Sequence, residues 1–192
     1  MNQQPLHFNG PYNFTKGDRS LFHSEFANDE GIYLWVIKDA KNDINYIHYI
    51  GETTNFGKRQ KEHLTQILGL NYYVIDTDLA KQGIHEAIWT AMWRDKTNDA
   101  AGNDLKKYEQ LNNDVRRYIE YMDVYFAPAA FSSEIRKHIE GCIGWNLRTK
   151  HPELTKFYPA DNRVVRSKKL LHEKITMSSD QPIAGLDSAI EI

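Results

Sequence analysis

The feature that most constrains the fold is a pair of aromatic and β-branched runs flanking a polar cluster. Residues 30–38 read EGIYLWVIK and residues 47–52 read IHYIGE, with DAKNDIN after the first run. Side chains of this kind favour a pleated, half-buried surface, and Asp, Asn and Lys between two such runs favour a turn. A hairpin is predicted. Directly after it, Thr54 or Asn55 can cap a helix that begins near Phe56. Phe56, Leu64, Ile67 and Leu68 give that helix an apolar side, and Gly69 ends it.

Farther along, NYYVID at 71–76 reads as a short strand or an extended segment. In residues 84–94, Ile84, Ile88 and Met92, with Trp89 and Trp93, recur at helical spacing and predict a well-buried helix. A loop, a charged helix over 105–118 and an aromatic strand over 118–127 follow, the strand ended by Pro128. Ser132 or Ser133 caps a last helix with Glu134 in its first turn and Ile135, Ile139, Ile143 and Leu147 at i, i+4 spacing. The expectation is an α+β fold: a small three-stranded mixed or antiparallel sheet flanked by helices. Residues 1–28 read as an arm packed on the body. Residues 29–165 read as the main domain, with a helical insertion at about 78–117. Residues 166–192 read as a basic segment and a loosely ordered tail.

Composition narrows the function by exclusion. A chain of 192 residues suits one domain. Its single cysteine, Cys142, can neither close an internal disulfide nor build a cysteine-ligated metal site, and a reducing cytoplasm is the simplest home. There is no apolar run long enough for a membrane span, no secretory signal, and no GxxxxGK[ST] loop to cradle a nucleotide. The net charge is only -2, yet residues 131–174 carry ten Lys/Arg against five Asp/Glu. Such a local excess can steer an anionic partner; charge alone fits a solvated surface equally well.

The residues that carry chemistry fall in a definite order. Gly31-Ile32-Tyr33 lies on the first predicted strand and Tyr49-Ile50-Gly51 on the second. Arg59 and His63 are i, i+4 on the next helix, so they share a face. Glu140 sits beside Ile139 in the apolar helix IRKHIEGCIGWNL, where an acidic group costs free energy unless it is paired or metal-bound. Each of these residues has an ordinary reading of its own: strand aromatics, a solvated helix face, a carboxylate at the water boundary.

Taken together, over residues 30–68 and 118–162, the set resembles the GIY-YIG nuclease superfamily. The resemblance implies a metal-dependent endonuclease that hydrolyses DNA phosphodiester bonds, of the restriction type or otherwise stand-alone. Tyr33 would orient or deprotonate the attacking water, helped by His63. Tyr49 would hydrogen-bond the phosphate or a metal-bound water, and Arg59 would clamp the scissile phosphate. Glu140 would hold one divalent cation, Mg²⁺ or another such as Mn²⁺. The family adds an asparagine after the metal helix, and Asn162 in FYPADNR is the match, across a longer gap than the pattern has; Asn146 is nearer but lies on the same predicted helix. DNA is the implied partner, and a double-strand cut would need a homodimer or two successive nicks. The alternative is a catalytically silent relative that only binds nucleic acid or protein.

Overall fold

The computed structural model describes residues 5–15, 17–90, 100–159 and 173–192, with only the helical backbone described over 100–110. The described elements are β1 (Leu6–Tyr12), β2 (Gly31–Asp39), β3 (Ile44–Thr53), α1 (Phe56–Leu68), β4 (Val74–Ile75), α2 (Thr77–Ala80), β5 (Ala87–Trp89), α3 (Ala100–Tyr121), β6 (Asp123–Pro128), α4 (Ser133–Lys150), β7 (Lys174–Ser179) and β8 (Ala189–Glu191). No helix among the described residues is long and apolar enough to cross a membrane.

The fold is α+β, but the expected small three-stranded sheet is wrong. The main sheet is mixed and curled, with six strands in the order β3-β2-β6-β1-β7-β8, and β4-β5 form a second, two-stranded sheet. β2 pairs antiparallel with both β3 and β6, as a three-stranded reading would have it. The sheet then continues through β1, antiparallel to β6 and parallel to β7. Thus Leu6–Tyr12 is an internal strand, and the tail supplies two more. In β7, Ile175 and Met177 are buried while Lys174, Thr176 and Ser178 are exposed, the two-residue period of a half-buried strand. The run is short, and its partner lies at the other end of the chain.

Two other predicted elements change type. Within 84–94, Ala87–Trp89 is extended and pairs with Val74 and Ile75, and the Trp89 indole N–H donates to the Leu70 carbonyl at 2.8 Å. A buried donor satisfied in this way, together with strand pairing, outweighs helical spacing; residues 91–94 lie outside the described residues. Residues 118–121 extend α3, so β6 begins only at Asp123.

The sheet has two apolar faces. Tyr33, Trp35 and Ile37 pack with Phe56 and Ile67 of α1, with Tyr118 of α3 and with Met122 just after it. Ile32, Leu34 and Val36 pack with Ile139, Ile143 and Leu147 of α4. On β3 the alternation is broken. Trp35 pairs with Tyr49 and Val36 with Ile47, leaving His48 as the extra residue of a bulge. Tyr46 and Tyr49 consequently lie on the α1 side, Ile47 and Ile50 on the α4 side. Two glycines permit the tight packing here. A Cβ on Gly51 would strike the Tyr33 ring and hydroxyl, and one on Gly31 would strike the Ala127 carbonyl and the Phe126 ring.

Candidate active site

The site forms where β2, the edge strand β3, α1 and α4 meet. α1 starts with Asn55 as its cap, whose side chain accepts from the Lys58 N–H at 2.9 Å. The Phe56 and Gly57 N–H groups donate to the Asp29 and Ala27 carbonyls, and the Arg59 N–H to Asn55. Every first-turn donor is therefore engaged within the chain, and an anion near this helix would rely on side chains rather than on the backbone.

α1 delivers Arg59, Gln60 and His63. His63 is fully buried, with its Nε2 2.7 Å from the Tyr33 hydroxyl and its Nδ1 3.1 Å from the Tyr72 hydroxyl. Trp35 stands edge-on to the imidazole at 4.8 Å between centroids and donates its indole N–H to Gln60 at 3.0 Å. Tyr33 is itself buried, and its ring stacks on Tyr49 at 6.0 Å between centroids. The Arg59 guanidinium faces the Tyr33 hydroxyl and pairs with Glu62 at 3.0 Å.

From the opposite face of the sheet, α4 brings Glu140 to the end of β3. It is half-buried and near enough to Glu52 for that residue's charge and backbone N–H both to act on its carboxyl. One turn earlier on α4, Arg136 is almost completely buried and reaches Glu52 at 3.2 Å and Glu30 at 2.5 Å. It ties the start of β2, the end of β3 and α4 together.

The electrostatics follow from burial and from these charges. Burial, and then Glu52, push the Glu140 carboxyl up to about 7, against the pull of the Glu52 N–H and Arg59. Burial also holds both phenols above their ordinary range; Tyr49 and Glu140 add to this for Tyr33, and Glu140 and Tyr72 for Tyr49, while Arg59 opposes it in each case. Burial and Arg59 drive His63 down to about 3, so its imidazole is neutral. The mutual influence of Arg59, Glu140 and the two phenols places them in one electrostatic neighbourhood.

Among the described residues no group of three or more His, Cys, Asp or Glu is arranged to hold a metal ion. The oxygen-only donors nearby still fit a hard divalent cation that keeps most of its water. Glu140 crowds against Glu52, and a cation would offset that repulsion. Since Glu52 is bonded to Arg136, Glu140 is the carboxylate that would hold such an ion.

Of the residues expected from sequence, Tyr33, Tyr49 and His63 are in direct contact, and Arg59 and Glu140 bear on the two phenols electrostatically. Asn162 lies outside the described residues, and Asn146 is bonded to Asp187 at 3.2 Å. Lys96 and the side chains of Lys106 and Lys107 likewise lie outside them, while Arg116 pairs with Glu120 and Arg117 with Asp78. Sequence reasoning missed Glu52 and Arg136. Both had a local signal: Glu52 follows Tyr49-Ile50-Gly51 directly, and Arg136 is i, i+4 to Glu140. Tyr72 reads from sequence, with Tyr73, as an aromatic able to stack on bases or on the helix of Arg59, but its bond to His63 has no sequence signal. No protein-family model matches the chain, and searches of curated proteins and of solved structures find no match to it.

Proposed function

We propose that this chain is a metal-dependent endonuclease of the GIY-YIG type, hydrolysing DNA phosphodiester bonds. The observation that supports the reading is the contact of Tyr33 with His63 and Tyr49, with Arg59 and Glu140 bearing on both phenols, the five residues being drawn from four elements of the fold. Arg59 opens onto a groove of about 230 Å³ lined also by Glu52, Thr54, Lys58 and Glu62. A phosphate there meets a fixed cationic fork. Glu140 would hold a divalent ion, which would supply charge neutralisation and Lewis acidity at the phosphate.

Tyr33 is too basic to act as a standing phenolate, so it acts as a relay. It takes a proton from the attacking water as its own hydroxyl proton passes to the free lone pair of His63. The water O–H and the old Tyr33 O–H break, a new Tyr33 O–H and an imidazole N–H form, and the hydroxide attacks phosphorus as the P–O bond to the leaving alkoxide breaks; the alkoxide takes its proton from solvent. Burial and Arg59 oppose the imidazolium; the phosphate anion compensates the second of these. Tyr49, stacked on Tyr33 at the strand edge, orients the water or a phosphate oxygen.

The test is nicking of supercoiled plasmid DNA with Mg²⁺ or Mn²⁺. Cleavage is expected to be abolished by a chelator, to fall by about three orders of magnitude in Glu140→Gln, which removes metal charge stabilisation, and to fall by about two in Tyr33→Phe, which removes proton transfer. DNA binding without cutting in either ion would favour a silent relative. Full activity in Glu140→Gln would overturn the site.

A further inference from the structure

We infer that Tyr72 is a positioning residue: by accepting the Nδ1 proton of His63 it locks the imidazole in the tautomer whose Nε2 lone pair faces Tyr33. The inference rests on the nuclease reading for its consequence, but its geometry stands independently. Arginine has donors only. The Arg59 guanidinium beside the Tyr33 oxygen engages one of its lone pairs, which favours the O–H turning towards His63 Nε2, 2.7 Å away. Nε2 is the acceptor in that arrangement. A neutral imidazole with a bare Nε2 carries its proton on Nδ1, and the partner of Nδ1 is the Tyr72 oxygen at 3.1 Å.

The segment that carries Tyr72 is held in place from several sides. The Gly69 N–H bonds to Thr65 and the Asn71 N–H to Gln66 as α1 ends. The Asn71 side chain bonds to Gln66 at 3.0 Å. Leu70 adopts a left-handed backbone (φ 56°), and its carbonyl accepts from the buried Trp89 indole at 2.8 Å. Leu70 and Trp89 are both buried, so β5 anchors the residues leading to Tyr72. The Tyr72 ring then lies 5.7 Å from the imidazole and 6.5 Å from Trp35.

The consequence is directional. Had Tyr72 donated to Nδ1, Nε2 would carry the proton and could not receive one from Tyr33. In the locked tautomer the Nδ1 proton stays in place while Nε2 gains one, and the Tyr72 oxygen shares the charge of the imidazolium.

The experiment uses the full chain with ¹⁵N-labelled histidine and long-range ¹H–¹⁵N correlation near neutral pH, the His63 ring being assigned by its absence in His63→Gln. The wild type is expected to show Nδ1 protonated and Nε2 bare, a result that needs no variant to fold. Tyr72→Phe keeps the ring and removes the oxygen. It is expected to shift His63 towards a mixture of tautomers and to lower kcat by about tenfold to a hundredfold with KM unchanged. A wild-type ring protonated on Nε2, or a Tyr72→Phe ring with unchanged signals, overturns the inference. A locked tautomer in a protein that cuts no DNA would remove the nuclease reading and leave the hydrogen-bond chain standing.

Discussion

Two buried histidines invite comparison. His63 on α1 lies between the hydroxyls of Tyr33 and Tyr72, at 2.7 and 3.1 Å. His48 on β3 lies between the Phe157 carbonyl at 2.6 Å and the Tyr118 hydroxyl at 2.7 Å. Burial holds both below the ordinary histidine value: His63 to about 3, with Arg59 adding to the effect, and His48 to about 4, with the Phe157 carbonyl opposing it and His85 adding to it. The difference lies in the partners. A carbonyl can only accept, so the His48 Nδ1 proton is fixed, and Tyr118 can only donate to the remaining nitrogen. That arrangement is a tie joining β3 to α3 and to the 3₁₀ turn at Pro152–Phe157. His63 has two phenols, each able to give or take a proton, and one of them meets an arginine at the rim of a groove. The same side chain, equally buried, holds structure in one place and can move a proton in the other.

The comparison breaks most readily at the chemistry. His63→Gln should lower single-turnover cleavage by about two orders of magnitude or more, whereas His48→Gln should leave the rate of the folded protein within a few fold. Equal losses of rate would erase the distinction. Stability should rank the two sites the other way. His48→Ala leaves a cavity and orphans a buried hydroxyl and a carbonyl, a cost of about 3 kcal/mol in urea unfolding.

Acid should sharpen the contrast further. Each histidine is neutral when folded and binds a proton below about 6.5 when unfolded, so stability is full above that pH and falls as pH drops towards the folded values. The slope is about 1.4 kcal/mol per pH unit for each histidine. Glu140 acts oppositely: raised to about 7, it contributes stability at low pH that is lost as pH rises from its ordinary 4.5 through 7. Unfolding measured between pH 6.5 and 5 should therefore become shallower by about one proton in His48→Gln and steeper by about one in Glu140→Gln.

The smallest effect concerns a third histidine. His7 joins Ser178 and Asp180 at 2.8 Å each across the parallel β1–β7 pair, but it is about half exposed. Asp180→Asn should cost at most about 1 kcal/mol.

What was legible in the sequence was local. The hairpin of β2 and β3, the start of α1 at Phe56 with its Asn55 cap, and the Ser132 cap of α4 each depend on residues a few positions apart. The main sheet was misjudged because β1 carries Gly10 and Pro11, which read as turn residues, and because its parallel partner β7 is 171 residues away at the His7–Ser178 pair. In the site, Tyr33, Tyr49, Arg59, His63 and Glu140 stood out as a spaced set. Arg136 looked like one more surface cation on a basic helix, and only the fold shows it buried against Glu52 and Glu30. The bond of Tyr72 to His63 was not legible because it is fixed by how the chain leaves α1, which depends on Trp89 rather than on its neighbours.

The bulge at His48 also bears on how this strand tolerates changes in length. Ile47 points to one wall and Tyr49 to the other, just as consecutive residues of a regular ladder would, with His48 as the residue in excess. Excising His48 alone would thus restore unbroken alternation and keep Tyr49 and Gly51 beside Tyr33. Excising Ile50 instead would invert everything beyond it and carry Gly51 away from the ring that needs its bare backbone. A one-codon deletion scan along β3 should accordingly find that loss of His48 preserves the register around Tyr33 while giving up the tie to Tyr118 and Phe157, whereas loss of Ile50 destroys the register itself.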